Sequence, residues 1–343
     1  MMIQRAIFWL FERYWQIRRR YKSIPHFPTY FFSSIFWWYY QIYTCGYLAF
    51  IEGSLWSQLF YSVIVCGGIG MTAASVIATT QQRFPLPPSE LAVDENYYNL
   101  DPTEQQEIVD EVIKRVGLNR HHVRGVCDTC LIVRPERSHH CAVCDVCTPR
   151  LDHHCVVLHK CIHQKNTKTF ALFFFWMSFS FAFALYSIHS YLVRSAYSIG
   201  IMDGPFYYYT SFTIVGYSNL YARYLGNSVN YGSFPIIALV FSSNLAYFML
   251  VIFLTVFLNF MYWCVILSYT ILACNKATRF RKSWMPVALQ DMKTRCFRKA
   301  TVVENIQAIF GRNPLVWPIP IVNNDTNGWL HSCDCAKQEV QVA

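Results

Sequence analysis

Charge is what this chain has least of. Asp, Glu, Lys and Arg make up 14% of its 343 residues, against 54% hydrophobic and 17% aromatic. A soluble chain of that length has no core large enough for so much apolar mass. The scarcity is also uneven. Tyr30 to Ile51, Leu59 to Thr80 and Phe170 to Val193 contain no Lys, Arg, Asp or Glu, and each is near the ~20 residues a bilayer-crossing helix requires. Disorder, a fibre and a small secreted scaffold are excluded. The chain reads as an α-helical polytopic membrane protein.

Acidic residues are the scarcer sign, 20 against 29 Lys+Arg, for a formal net charge of +9. In a membrane protein that surplus reports topology before partners, and no basic stripe is interleaved with base-stacking aromatics, so no nucleic acid is expected. A fourth uncharged run, Phe234 to Cys274, is longer than one crossing needs. A single crossing over Ala246 to Leu272 leaves both termini and the Gln81 to Thr169 loop on one side with 29 − 2 = 27 of the Lys+Arg, the exceptions being Arg194 and Arg223. A double crossing would send Lys276, Arg279, Arg281 and Lys282 to the other side. The positive-inside bias selects the single crossing and makes the basic side cytosolic.

The expected order is a cytosolic basic N-terminus (1–29), transmembrane helices 1 and 2 (30–80), and a cytosolic linker with an amphipathic helix (81–126). A cysteine-rich domain (127–169) follows, then transmembrane helices 3 and 4 with a lumenal loop (170–274), and a cytosolic C-terminal region (275–343). Residues 1 to 25 lack a clean apolar core and a cleavage site, which argues against a removable signal. They read as an interfacial basic helix or a solvated positive flank. In the linker, Asp101-Pro102-Thr103-Glu104 has the cap, proline and capping-box acid of a helix start, Ile108, Val112 and Val116 form a stripe, and Gly117 ends it. Gly67, Gly68 and Gly70 are expected to permit close packing in the second span. Asn324-Asp325-Thr326 is a glycosylation sequon on the cytosolic side of this topology. Cys333 and Cys335 are tail thiols open to acylation or simply reduced.

Half of the 14 cysteines fall between Cys127 and Cys161. Clustering beside histidines points to metal ligation in a reducing compartment, since disulfides need an oxidising one. The donors are Cys127, Cys130, His140, Cys141, Cys144, Cys147, His154, Cys155 and Cys161. A tetrahedral structural zinc takes four, so two Cys3His sites leave one thiol over. One interleaved assignment places Cys127, Cys130, His140 and Cys147 in one site and Cys141, Cys144, His154 and Cys161 in the other, leaving Cys155. Asp152 and His153 immediately precede that cysteine, bringing carboxylate, imidazole and thiol together, the residue types of an activated nucleophile. Each Cys3His zinc site carries 2 − 3 = −1, so activation of Cys155 falls to His153 and local dipoles.

These residues resemble the DHHC protein S-acyltransferases (palmitoyltransferases). The likeness runs through Cys127, Cys130, Arg134-Pro135-x-Arg137, His140-Cys141, Cys144, Cys147, Asp152-His153-His154-Cys155, Cys161, Asn166 and Phe170, with Asn305 and Ile309-Phe310-Gly311 similar to the family's C-terminal motif. The resemblance implies the two interleaved zinc sites, Cys155 as acyl-accepting nucleophile, His153 as its base and Asp152 as the residue orienting that base. It implies two structural Zn2+, palmitoyl-CoA as acyl donor, and cytosolic or membrane-attached substrate proteins with accessible cysteines. Candidate partners for the coenzyme A phosphates are Arg134, Arg137, Arg150 and Lys160, with Lys165 and Lys168 beside them. The expected location is the Golgi or endoplasmic reticulum membrane, with both termini cytosolic. After the tetrad, where the family usually reads Pro-Trp-Val and then Asn-Cys-Val-Gly, this chain reads Val156 to His163 without the Trp, Pro or Gly. For the family's Thr-Thr-x-Glu the nearest segment is Ala277-Thr278-Arg279-Phe280. The alternative function is a catalytically impaired, zinc-stapled membrane scaffold. A metal transporter is disfavoured because the uncharged spans offer only His189.

Overall fold

The computed structural model describes residues 54–118, 120, 123–135, 137–155, 158–198, 234–266, 301–322 and 329. The first expected span, the basic N-terminus, residues 199–233 of the expected lumenal loop, the end of the expected fourth span from 267, the Ala277–Phe280 segment, the sequon and the tail cysteines lie outside them.

Two apolar helices flank a small cysteine-rich module. Helix α1 spans Leu55–Gln81 and α3 spans Thr167–Ser198. Their 27 and 32 residues rise about 40 and 48 Å at ~1.5 Å per residue, enough to cross a bilayer. The stretches Leu59–Gln81 and Thr167–Ser187 have the length and apolarity for it. Helix α4, Phe234–Phe260, runs without a break into a wide π turn over Met261–Ile266. It starts well before the expected Ala246. Pro235 sits in its first turn, where the missing N–H removes no helical hydrogen bond.

Small residues and rings set the helix contacts. A Cβ added at Gly68 would lie 2.6 Å from Ser180 Oγ, so this glycine admits α3. A Cβ added at Gly67 or Gly70 meets nothing within 4 Å among the described residues, so neither takes part in the contact with α3. Thr79 Oγ1 donates to Thr169 Oγ1 at 2.8 Å across the same interface. Between α3 and α4 the contact is aromatic. Phe181 stacks on Phe253 at 5.8 Å, Phe175 meets Phe257 at 5.6 Å, and Phe170 meets Phe260 edge-on at 5.2 Å.

Within the module, α2 spans Pro102–Val116. Asp101 accepts from Thr103 N and Glu104 N, Glu104 closes the capping box, and Gly117 ends the helix at φ 70. Val109, Val112 and Ile113 are its buried residues, with Ile108 and Val116 packed at the margin. The stripe is thus wider than the four-residue ladder, as a helix lying on a small core needs. Three antiparallel hairpins follow: β1 (Val123–Cys127) with β2 (Ile132–Pro135), β3 (His139–Cys141) with β4 (Val146–Thr148), and β5 (His153–Cys155) with β6 (Lys160–Ile162).

Hydrogen bonds lock the module to the helices. Asn166 is fully buried; its Oδ1 accepts from His163 N at 2.8 Å while its Nδ2 donates to Cys161 O at 2.9 Å and Thr79 O at 3.3 Å. One side chain therefore joins the last hairpin to the end of α1 at the start of α3. After α4, helix α5 (Val302–Phe310) has its own capping box, Thr301 with Glu304, and buries Asn305, Ile309 and Phe310. The strap beyond it is held by Lys168 Nζ on Val316 O (2.9 Å) and Trp176 Nε1 on Pro318 O (3.0 Å). Trp329, 1% exposed, donates to Pro85 O at 2.9 Å and packs among Leu91, Tyr97 and the α2 stripe.

Candidate metal centres and thiol site

Hairpin register brings the donors together. His140 faces Cys147 across β3–β4, and His154 faces Cys161 across β5–β6. The turn of β1–β2 carries Cys127 and Cys130, and that of β3–β4 carries Cys141 and Cys144. Each turn meets the cross-strand pair of the next hairpin. Cys127, Cys130, His140 and Cys147 form one group and Cys141, Cys144, His154 and Cys161 a second, with the donor atoms of each within 4.8 Å of one another.

Both groups fit a tetrahedral ion. Bonds of ~2.3 Å to sulfur and ~2.0 Å to nitrogen imply edges of about 3.8 Å between sulfurs and about 3.5 Å from sulfur to nitrogen. His154 Nδ1 lies 3.7, 3.4 and 3.6 Å from the sulfurs of Cys141, Cys144 and Cys161. Cys144 and Cys161 sulfurs are 3.5 Å apart. His140 Nδ1 is 3.3 Å from Cys130 Sγ and 3.9 Å from Cys147 Sγ, and its other ring nitrogen stands 3.7 Å from Asp145 Oδ1, the carboxylate support that metal-bound imidazoles commonly have.

The thiols themselves call for a cation. Hydrogen bonds from Cys144 and Cys161 drive Cys141 far below the usual thiol range. The bond to Cys141 in turn pushes Cys144 up to about 11, and the bonds to Cys141 and Cys144 push Cys161 up strongly. In the other group, burial raises Cys147, while backbone N–H groups of Cys130 and Thr129 lower Cys127 against its own burial. Three thiols crowded around one imidazole in each group are a donor set that a divalent ion would hold as thiolates.

Cys155 belongs to neither group. It is 8% exposed and packs with Leu158, Ile162, Phe170, Phe260, Val265, Ile309 and Phe310, where α3, α4 and α5 converge. On its polar side is His153, whose Nδ1 is 2.6 Å from Asp152 Oδ2, with Asp152 itself buried. Cys155 hydrogen-bonds to the same imidazole, and with Nδ1 engaged by Asp152, Nε2 is the nitrogen left for the thiol. Burial opposes charge on His153, but the bonds to Asp152 and Cys155 outweigh it and raise the imidazole to about 9. Phe170 braces the ring edge-on at 5.5 Å. His163, by contrast, is fully buried and held down to about 3 by burial and by Lys160 and Lys165, so it stays neutral.

The basic candidates are placed differently from one another. Arg134 is half-buried on β2, and its Nε has no hydrogen-bond partner among the described residues. Arg137 adopts φ 68 and its carbonyl accepts from Leu151 N at 3.2 Å. Arg150 donates to Gln164 Oε1 at 3.0 Å. Lys160 turns inward, its ammonium 4.5 Å from the Phe84 ring centroid and in the field of Cys144 and Cys161. Lys168 is buried and spent on Val316 O, which removes it as a phosphate contact.

One regularity of the site went unread in the sequence. Cys127, Cys130, His140 and Cys147 each recur fourteen residues later as Cys141, Cys144, His154 and Cys161. Leu131, Asp145 and His159, at the same interval, share left-handed φ values of 50, 57 and 50. Self-comparison at that period would have found it.

Residues 121–279 match the family model described as DHHC palmitoyltransferase.

Proposed function

From a chain that carries a DHHC palmitoyltransferase domain over residues 121–279, and so is a membrane protein with a cysteine-rich, zinc-binding module, we propose a specific activity. It moves a long-chain fatty acyl group, palmitoyl first among them, from acyl-CoA to cysteine thiols of substrate proteins through a thioester on Cys155. The carrying observation is that Cys155 stands outside both metal-binding groups, bonded to an imidazole that Asp152 orients, on the apolar junction of three helices.

The chemistry follows from that placement. A palmitoyl chain buries about fifteen carbons at ~0.8 kcal/mol each, on the order of 12 kcal/mol, so it stays in apolar surroundings while the coenzyme A polyanion remains in the cytosol. Cys155, just ahead of α3, lies where the two meet. His153 Nε2 takes the Cys155 proton; the thiolate attacks the thioester carbonyl, the bond from that carbon to the coenzyme A sulfur breaks, and His153 returns its proton to the leaving thiolate. A substrate cysteine repeats the exchange in the opposite sense, restoring Cys155. One thioester is made for each one broken, so positioning, deprotonation and exclusion of water are enough. Zinc at the two Cys3His groups supplies cross-linking of the hairpins that carry this relay.

Arg134 and Arg137 remain our first candidates for the coenzyme A phosphates. Arg150 is shared with Gln164, and Lys160 serves chiefly as counter-charge to the second metal group. The proposed topology has four spans, cytosolic termini and an endomembrane setting, with substrates presented at the bilayer surface. Purified protein incubated with alkyne-tagged palmitoyl-CoA tests the function. Hydroxylamine-sensitive label that disappears in Cys155→Ser supports it; label absent, or equal in the variant, leaves the impaired-scaffold reading.

A further inference from the structure

Taking Cys155 as the nucleophile, the fourteen-residue repeat raises a question: why is this cysteine not a metal ligand? Its position is that of one. Cys127 pairs with Ile132, Cys141 with Val146 and Cys155 with Lys160, the same register in three successive hairpins. The turns match as well. Leu131 N bonds Cys127 O at 2.9 Å and Asp145 N bonds Cys141 O at 2.7 Å, both donors being left-handed residues whose third counterpart is His159. Even the tetrad is a second copy, since Ser138-His139-His140-Cys141 precedes Asp152-His153-His154-Cys155 at the same interval.

Three differences separate the copies. Ser138 donates to Pro135 O at 2.6 Å, whereas Asp152 grips His153. Where Cys130 and Cys144 complete the first two turns, the third has Leu158, 3% exposed and packed in the apolar cluster with Cys155. The positions that would supply a further cross-strand pair hold Lys168 and Phe175, on α3.

We propose that the third hairpin is a metal knuckle whose second sulfur has been replaced by Leu158, and that this residue keeps Cys155 a nucleophile instead of a ligand. Leu158 is a positioning residue. Its side chain pins the turn by burial among Ile162, Phe170 and Phe310, as a metal pins the other two, and offers no donor that could draw an ion onto Cys155. With a second sulfur at this position, Cys155, residue 158 and His153 would form a three-donor shell with one open position, the minimum for a held zinc.

The test is metal content of the purified full chain, with Co2+ absorption as the spectroscopic signature. Wild type is expected to hold two ions. Leu158→Cys is expected to hold three, to gain sulfur-to-cobalt absorption, and to lose Cys155 alkylation until a mild chelator restores it. Adding Cys155→Ser should return the count to two. Leu158→Ile, apolar and without a donor, should keep two ions and leave Cys155 open to alkylation without a chelator. If Leu158→Cys binds fewer than two ions through misfolding, Leu158→His, with nitrogen as donor, decides by the same count. No extra ion in either variant overturns the proposal. Absence of acyl label on wild-type protein would sink the proposed function while leaving the metal count intact, so the two failures are distinguishable.

Discussion

Asp152→Asn is the sharpest probe of the relay. In the wild type His153 is raised from its ordinary 6.5 to about 9 although burial opposes it, with the Asp152 bond the largest raising cause. That gap corresponds to about 3 kcal/mol in favour of the charged ring at ~1.36 kcal/mol per tenfold change, an order-of-magnitude figure for a side chain 26% exposed. Because the folded value lies above the unfolded one, the stabilisation is fully present below pH 6.5 and is lost as pH rises through about 9. Asn keeps the shape but removes the charge, so burial then dominates and His153 should titrate at or below 6.5. Cys155 alkylation by iodoacetamide, followed residue by residue across pH 5 to 10, reads this out. The wild-type imidazolium–thiolate pair should persist through neutral pH, and the variant should react at pH 7 on the order of ten- to a hundredfold more slowly. An unchanged pH profile in Asp152→Asn would refute the relay.

Further expectations concern the scaffold. Asn166→Ala leaves the backbone groups at His163, Cys161 and Thr79 without their buried partner, a loss of about 3 to 9 kcal/mol at ~1 to 3 kcal/mol per orphaned group, visible as a lower Tm in detergent; an unaltered Tm contradicts this role. Gly68→Leu should disrupt the α1–α3 contact at Ser180 while Gly70→Ala folds normally, which thermal unfolding will separate. Cys144→Ser should release one zinc of two and destabilise the β5–β6 hairpin that carries Cys155, since metal binding is also folding free energy; retention of both ions would contradict the grouping. Glycosylation mapping should find Asn324 without sugar, and its modification would invert the topology.

Much of this molecule is legible as a string because its determinants are local. The α2 capping box needs only Asp101, Pro102, Glu104 and Gly117, and the apolar runs of α1 and α3 announce themselves by lacking charge. Donor spacing points to two Cys3His groups because hairpin register ties His140 to Cys147 and His154 to Cys161. What resists reading is set by partners distant in sequence. Gly67, Gly68 and Gly70 look alike until α3 arrives and only Gly68 meets Ser180. Lys168 passes for a surface cation until Val316 takes its ammonium, and the seat of Lys160 over the Phe84 ring is equally unannounced. Trp329 shows no local sign of its anchor at Pro85.

The most direct test of the central claim is native mass spectrometry of the purified chain after brief exposure to palmitoyl-CoA. A single palmitoyl adduct on Cys155 with both zinc ions still bound is the predicted species. A chain whose metals occupy Cys155, or one that takes up acyl groups only as zinc is lost, would contradict the account.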